Sequence, residues 1–411
     1  MREQMEGSRG VAEAVALSRP QVISAYPITP QSHIVEHLSV MVKDGRLDSC
    51  RFVNAESEFG AMSIVIGAAV AGSRSYTATA SQGLLFMAEA VYNAGGLELP
   101  IVMTVGNRAV GAPINIWNDH SDAMAVRDAG WVQLFATSNQ EAVDLHLLAF
   151  RLAQEASIPV MVCMDGYVLT HAFDEIDVPS QQQVDEFLPP FRTTPVLDPA
   201  DPVSIGSMVG PEAFTEVRYL AYAKHQEVLQ RITALAAELG TLLEREVPAL
   251  VRDYRLIASE TVIVSMGSVS RTVDRVVDTL RAGGRKVGSM SLTSYRPFPA
   301  AQVRAALAVA KRVVVVDRAM SAGAGGIVTA DVRSALSGLD VRVYSVMAGL
   351  GGRPVRSSSL LGVVDHIVRG EPPPTGEPVF LDLDRTVVDR EMASASLHDR
   401  TMTMKAGKAS R

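Results

Sequence analysis

The chain has 411 residues, 47% of them apolar and 20% charged, and a formal net charge of -7. Single cores seldom grow past about 250–300 residues, so two domains with a sizeable apolar interior are expected. The acidic balance, without any long run of like charge, argues against nucleic acid and acidic membrane surfaces as partners.

The opening Met1-Arg2-Glu3-Gln4-Met5-Glu6 is polar and lacks the apolar centre of a secretory signal. No uninterrupted apolar stretch reaches the roughly 20 residues of a spanning helix, so a cytoplasmic chain is expected. Residues 11–17 read as a helix, 22–25 as a strand, and 32–42 as an amphipathic helix entered through Pro30 and a Ser cap. A strand near 51–54 leads to a helix that opens at Glu58 and carries a small, apolar run from Ala61 to Gly72, which reads as buried. Strand 75–79, helix 84–93, strand 101–105, an irregular stretch 107–127, strand 131–135, helix 140–156 and strand 160–164 follow. Short, continuously apolar strands alternating with helices predict a parallel sheet covered on both faces.

Only two cysteines occur, Cys50 and Cys163, too few for an iron–sulfur cluster, which takes about four thiolates. The strand around Cys163 predicts a buried, inert thiol. From about 174 to 211 the pattern dissolves into Pro- and Gln-rich sequence, a surface connector, and a long helical segment spans about 212–252. A second α/β unit starts near Thr261, with strands at 262–266, 286–292, 313–316 and 341–347 and helices at 272–282, 300–310 and 327–336. The expected organisation is therefore 1–175, a first α/β domain; 176–255, connector and long helical segment; 256–370, a second α/β domain; and 371–411, a tail. That tail, Pro-rich and then charged, lacks the apolar content for a core and is expected to wrap a partner or remain mobile.

Several motifs carry chemistry. A carboxylate at the mouth of an apolar helix is either neutralised or paired, and no Lys or Arg of the chain stands out as a partner for Glu58. A bound heteroaromatic nitrogen would serve, which points to a thiamine-type cofactor. Alone, Glu58 also suits a helix N-terminal acid. The turn Tyr26-Pro27-Ile28-Thr29-Pro30 follows strand 22–25 at its carboxyl end, where ligands of open α/β sheets sit. Two prolines leave Thr29 little freedom, although a plain strand-to-helix turn explains the motif as well. Arg108 stands directly after strand 101–105, where a guanidinium can take a carboxylate through two parallel hydrogen bonds. Ser81-Gln82-Gly83 offers exposed backbone N–H groups or merely a helix cap.

The loop from Pro113 to His120 gathers amide, indole, acid and imidazole. Asp119 and His120 suggest an acid–base pair, but sequence neighbours often point apart, so a structural role is expected. The glycines at 323, 325 and 326, and at 349, 351 and 352 beside Arg353, do not match a dinucleotide fingerprint, and nucleotide binding is discounted there. A diphosphate-anchoring Gly-Asp-Gly run is missing, since Met164-Asp165-Gly166 lacks the first glycine. One face of a thiamine diphosphate site is available in this chain, and the metal-binding face is not.

Taken together, Tyr26-Pro27-Ile28-Thr29-Pro30, Glu56-Ser57-Glu58, Thr77-Ala78-Thr79-Ala80-Ser81-Gln82-Gly83, Asn115-Ile116-Trp117-Asn118-Asp119-His120-Ser121-Asp122 and Asn139-Gln140-Glu141-Ala142 resemble the α subunit of the pyruvate:ferredoxin oxidoreductase (2-oxoacid:acceptor oxidoreductase) family. Weaker matches continue through Pro195-Val196-Leu197-Asp198-Pro199 and Tyr295-Arg296-Pro297-Phe298-Pro299 to Gly349-Leu350-Gly351-Gly352-Arg353. The resemblance implies a thiamine-binding pyrimidine-type domain followed by a transketolase C-terminal-like domain. It implies that Glu58 hydrogen-bonds the aminopyrimidine beside Pro27 and Ile28, and that Thr29 and Arg108 hold the 2-oxoacid.

A partner β subunit is then expected to bring the diphosphate and Mg site and an iron–sulfur cluster. Further γ and ferredoxin-like δ subunits, with an NAD or flavin subunit as an alternative, would take electrons, and coenzyme A would take the acyl group. Pyruvate is the default substrate, with phenylglyoxylate or a branched-chain 2-oxoacid as alternatives. Thr29 argues against the oxalate-using branch. A non-catalytic scaffold and a stand-alone carboligase are the competing readings. The first is disfavoured by the presence of Glu58 and Arg108, the second by the missing diphosphate motif.

Overall fold

The computed structural model describes residues 2–193, 195–370, 373–374 and 376–394. The chain opens with β1 (Arg2–Glu6), α1 (Gly7–Leu17), β2 (Val22–Ala25), α2 (Ser32–Lys43), β3 (Arg51–Asn54) and α3 (Glu58–Val70). Next come β4 (Ser75–Thr79), α4 (Ser81–Phe86), α5 (Ala88–Gly96), β5 (Ile101–Asn107), α6 (Ser121–Ala125), β6 (Val132–Phe135), α7 (Asn139–Ala156) and β7 (Val160–Asp165). β8 (Phe173–Asp177), α8 (Gln181–Phe187) and α9 (Phe214–Leu243) lead to the second unit. That unit holds β9 (Val251–Tyr254), β10 (Thr261–Met266), α10 (Val269–Ala282), β11 (Val287–Leu292), β12 (Ser294–Arg296) and α11 (Ala300–Leu307). It closes with β13 (Arg312–Asp317), the short pair β14 (Met320–Ser321) and β15 (Gly325–Gly326), α12 (Ile327–Ala335), β16 (Arg342–Met347), α13 (Ser357–Arg369) and β17 (Val379–Phe380).

Two sheets result, as the alternating pattern predicts. The first runs β12-β6-β7-β5-β4-β2-β3 and is parallel except at β12. The second runs β17-β16-β13-β10-β11-β9 and is parallel except at β9. Strands β5 and β7 are buried along their whole length, which is why they read as unbroken apolar runs.

Several elements depart from the expectations. β1 pairs antiparallel with β8 across Arg2↔Asp177 to Glu6↔Phe173, and only Met5 and Ile176 turn fully inward, so neither strand shows a legible period. The helix expected over 84–93 is two helices meeting at Met87. Within the supposed connector, a capping box between Ser180 and Gln183 starts α8. α9 stops at Leu243, where Glu244 takes a left-handed φ of 52°, and 251–254 becomes an edge strand. The helix opened by Glu58 is buried on one side only: Phe59, Ser63 and Gly67, four residues apart, form an exposed strip. The tail is also corrected in part. Val379 and Phe380 extend the second sheet beside Val346 and Met347, and Leu381 is buried; 395–411 lie outside the described residues. Among the described residues no helix is long and apolar enough to cross a membrane.

The two units share one core. Met103, Trp131 and Phe135 of the first pack in a single apolar cluster with Met290, Leu292, Tyr295 and Val303 of the second. β12 leaves the second unit to pair with β6. A buried polar latch reinforces the contact: Asp165, at the end of β7, accepts from Arg318 Nη1 at 2.6 Å, from the Ser268 N–H at 3.0 Å and from the Ser268 hydroxyl, and lies 2.7 Å from His120 Nε2. His120 also donates its backbone N–H to the Arg318 carbonyl, 2.9 Å away.

Burial alone would raise the Asp165 carboxyl, but Arg318 and His120 outweigh it and hold the group well below the usual carboxylate range. A depressed carboxyl stabilises the fold fully above the unfolded value near 4 and loses that contribution as pH falls beneath it. Urea midpoints of the wild type should therefore drop steeply below about pH 4, and Asp165→Asn should be less stable at neutral pH with a shallower acid slope. Equal midpoints for the two proteins at neutral pH would remove the latch from the account.

Candidate active site

The site is built on the carboxyl ends of neighbouring parallel strands. β2 delivers the turn 26–30, β4 delivers Ser81, β5 delivers Arg108 and β7 delivers Asp165. Ligands of open α/β sheets bind beyond this edge.

Asp122, in the first turn of α6, fixes the geometry. It is fully buried, and its Oδ2 accepts the backbone N–H groups of Ser81 and Arg108, both at 3.0 Å. Its Oδ1 accepts from Asn107 Nδ2 at 2.9 Å and from the Ala123 N–H at 2.7 Å. Burial pushes this carboxyl up to about 6, against the pull of those four donors. Ser81 itself sits at φ 47° and donates its hydroxyl to the Ala109 carbonyl at 2.6 Å. One carboxylate thus aligns the ends of β4 and β5.

Arg108 is 7% exposed. Its Nε donates to the Asn115 carbonyl and its Nη1 to the Thr29 carbonyl, both at 2.9 Å, so the structure brings Thr29 and Arg108 together. Among the described residues no carboxylate pairs with this guanidinium. Thr29 and Pro27 are exposed and Ile28 is half-buried, so the turn faces outward beside Arg108.

Glu58 follows Ser57, whose hydroxyl caps α3 by accepting from the Gly60 N–H at 3.0 Å. The Glu58 side chain is 8% exposed, and no hydrogen bond or ion pair to its carboxylate exists among the described residues. It lies against Gly83: a Cβ there would stand 2.7 Å from Glu58 Oε1 and 2.6 Å from Thr79 Oγ1. The Thr79 hydroxyl is itself buried without a partner. An acid with no cation, an orphaned hydroxyl and a position where only glycine fits make a cradle for a flat group that presents N–H donors. The aminopyrimidine of thiamine fits that description.

The other motifs have structural employment. Asp119 and His120 point apart: Asp119 accepts from Ser121 and from the Gly351 N–H at 3.0 Å, while His120 belongs to the Asp165 latch. Asn115 Nδ2 donates to the Gly351 carbonyl at 3.1 Å, so the second unit's glycine turn props the loop that holds Arg108. Arg353 donates to the Asp382 carbonyl. At the N-terminus of α12, where a phosphate would sit in a nucleotide site, the Asp317 carboxylate accepts from the Val328 N–H at 2.7 Å and from Thr329. Cys163 is buried, and burial pushes its thiol well up.

Asp122, Asp165 and Arg318 were given no role by sequence reasoning. Asp122 and Asp165 each carried a signal, an acid in a helix's first turn and an acid at a strand end. The latch partner Arg318 carried only its place after strand 313–316.

Comparison with known proteins places these features. A family model described as "Pyruvate flavodoxin/ferredoxin oxidoreductase, thiamine diP-bdg" matches residues 13–236, and one described as "Pyruvate:ferredoxin oxidoreductase core domain II" matches 259–360. Pyruvate synthase subunit PorA of Methanosarcina barkeri is 44% identical over 387 residues, covering 92% of this chain and 96% of that protein. The PorA of Methanothermobacter thermautotrophicus is 41% identical over 362 residues, covering 88% and 94%. A solved 2-oxoglutarate:ferredoxin oxidoreductase from Magnetococcus marinus shares the fold, with a TM-score of 0.70 at 19% identity over 89% of this chain; the match spans 65% of that longer chain. The resemblance expected from the motifs is borne out: the chain belongs to the thiamine diphosphate-binding pyruvate flavodoxin/ferredoxin oxidoreductase family.

Proposed function

We propose that this chain is the α-type subunit of a multisubunit pyruvate oxidoreductase, in which pyruvate and coenzyme A become acetyl-CoA and carbon dioxide and two electrons leave through partner chains. The observation that carries this reading is a pair of buried ionisable groups at one sheet edge, Glu58 without a cation and Arg108 without an acid among the described residues. Each would be costly unless a ligand completed it. A cofactor ring nitrogen completes the first and a substrate carboxylate the second.

When bound, thiamine diphosphate supplies the carbon nucleophile and accommodates the electron pair released with carbon dioxide. Glu58 would hold the ring through one of its nitrogens, with a proton between that nitrogen and the carboxylate. Gly83 leaves room for the Glu58 side chain to pack against it, and Pro27 and Ile28, in the outward-facing turn, would stand beside the bound ring. Arg108 is held by two backbone carbonyls through Nε and Nη1, which leaves Nη2 to grip the substrate carboxylate, with the Thr29 hydroxyl beside it. Holding the carboxylate in one orientation brings the bond to be broken into line, the main contribution such clamps make.

The diphosphate and its Mg belong to a partner chain on this reading, because Asp165, the acid in the expected place, is consumed by Arg318, Ser268 and His120. The exposed strip of Phe59, Ser63 and Gly67 beside Glu58 gives that β subunit a surface for close packing. Iron–sulfur clusters reside in the β and ferredoxin-like δ subunits, a γ subunit completes the complex, and ferredoxin or an NAD or flavin subunit receives the electrons.

In the purified complex, assayed with coenzyme A and an artificial one-electron acceptor, Glu58→Gln should lower kcat by about a hundredfold or more while assembly is retained. Undiminished turnover in that variant would remove Glu58 from the chemistry. Arg108→Lys should raise KM for pyruvate by about tenfold or more, because a single ammonium cannot hold the Asn115 and Thr29 carbonyls and a carboxylate at once as the planar guanidinium can. A panel of 2-oxoacids in the same assay ranks pyruvate against branched and aryl substrates; a preference for either of the latter would reassign the substrate.

A further inference from the structure

Away from the cofactor cradle, three residues from separate segments converge at the start of the chain. Glu6 ends β1, His33 lies in the first turn of α2, and His171 immediately precedes the turn into β8. One carboxylate oxygen of Glu6 and one ring nitrogen from each histidine all lie within 4.8 Å of one another. Glu6 Oε1 is 2.7 Å from His33 Nδ1, and the two imidazole rings lie with centroids 4.5 Å apart, tilted 36° to one another. The cluster is open on one side: the His33 side chain is 44% exposed and that of Glu6 14%.

The segments that carry these groups are fixed. Gly7, next to Glu6, donates its N–H to the Ala172 carbonyl at 3.0 Å, and a Cβ on Gly7 would fall 2.1 Å from the Leu169 carbonyl oxygen. Ser8 donates both its N–H and its hydroxyl to the Thr170 carbonyl, at 2.9 and 2.7 Å. The Thr170 hydroxyl lies 2.7 Å from His171 Nδ1 and accepts the Tyr167 N–H at 2.8 Å, and the Tyr167 ring stacks on His171 at 4.7 Å. A hydroxyl on one nitrogen of an imidazole and an aromatic ring against its face set its orientation, the service that outer partners give to metal-bound histidines.

We propose that Glu6, His33 and His171 form a binding site for one divalent ion of the zinc, cobalt or nickel class, with water in the remaining position. Two imidazoles and a carboxylate suit such borderline ions, whereas magnesium and calcium prefer oxygen ligands throughout. Metal–ligand bonds of about 2.0–2.1 Å bring ligand atoms to roughly 3.3–3.5 Å apart, between the 2.7 Å of Glu6 Oε1 to His33 Nδ1 and the 4.8 Å that bounds the group, so small side-chain rotations reach it. A bound ion would tie the first strand, the segment after β7 and the helix that begins just past Thr29 into one unit. Nothing in the assigned reaction requires it, so the site stands or falls independently of the role given to Glu58.

The test uses the purified full-length chain, stripped with chelator and titrated with Zn(II) and Co(II). One ion per chain should bind, with visible d–d absorption for Co(II), and Zn(II) should raise the melting temperature. His33→Gln, His171→Ala and Glu6→Gln should each weaken affinity by at least about tenfold and abolish the thermal shift. His33 is exposed enough for His33→Gln to fold normally, which circular dichroism checks. Failure of the wild type to bind either ion at micromolar concentrations overturns the proposal. So does unchanged binding in His33→Gln, which would leave Glu6 and His33 as a plain surface ion pair.

Discussion

A single buried carboxylate, that of Asp122, holds the geometry of the sheet edge on which everything else is arranged. Four N–H donors converge on it from two strand ends and a helix start. Those donors sit beyond the last ladder hydrogen bonds of β4 and β5, where parallel strands have nothing further to pair with. Supplying them from a side chain lets two chain segments leave the sheet in a fixed relation. Ser81 takes its left-handed turn into α4 on one side, and Arg108 is presented on the other. The cost is a carboxyl pushed up to about 6 by its surroundings, tolerable because every one of its contacts is a donor.

The same edge holds two ionisable side chains that no opposite charge among the described residues answers. Natural proteins seldom bury a carboxylate or a guanidinium without a partner, and the exceptions gather where a ligand completes them. Among the described residues Glu58 and Arg108 lack a counter-charge, whereas Asp165, Asp317 and Asp119 are all spent on internal contacts. This distribution is what the proposed function rests on: two groups left open at the sheet edge, and the acids around them used internally. Asp165, at the end of β7, locks the second unit against the first.

That lock gives the second unit a mechanical role. Its glycine turn around Gly351 braces Asn115 and Asp119, and Asn115 in turn accepts from Arg108. Arg318 reaches Asp165 and the Asn118 carbonyl together. The Arg108 guanidinium is therefore positioned by contacts that originate in a separate sheet, and the continuous apolar core beneath keeps that sheet from drifting.

Most of the alternating strands and helices, the two α/β units they build, and the placing of Thr29 and Arg108 at strand ends and of Glu58 at a helix start were legible in the sequence. Unbroken apolar strands, proline-bracketed turns and charges at strand ends are local signals that owe nothing to distant contacts. What the sequence could not express was partnership across long separations: Asp122 with Ser81, Asp165 with Arg318 over 153 residues, β12 crossing to β6, and β1 pairing with β8. It also overstated the burial of α3, because a helix apolar all round has no period to reveal which strip stays open. Local pattern determined which segments would form and where charge would emerge. Only the tertiary structure decided which charges are answered from within the chain and which are left for a ligand, because that depends on what packing brings within about 3 Å, and no spacing along the chain encodes it.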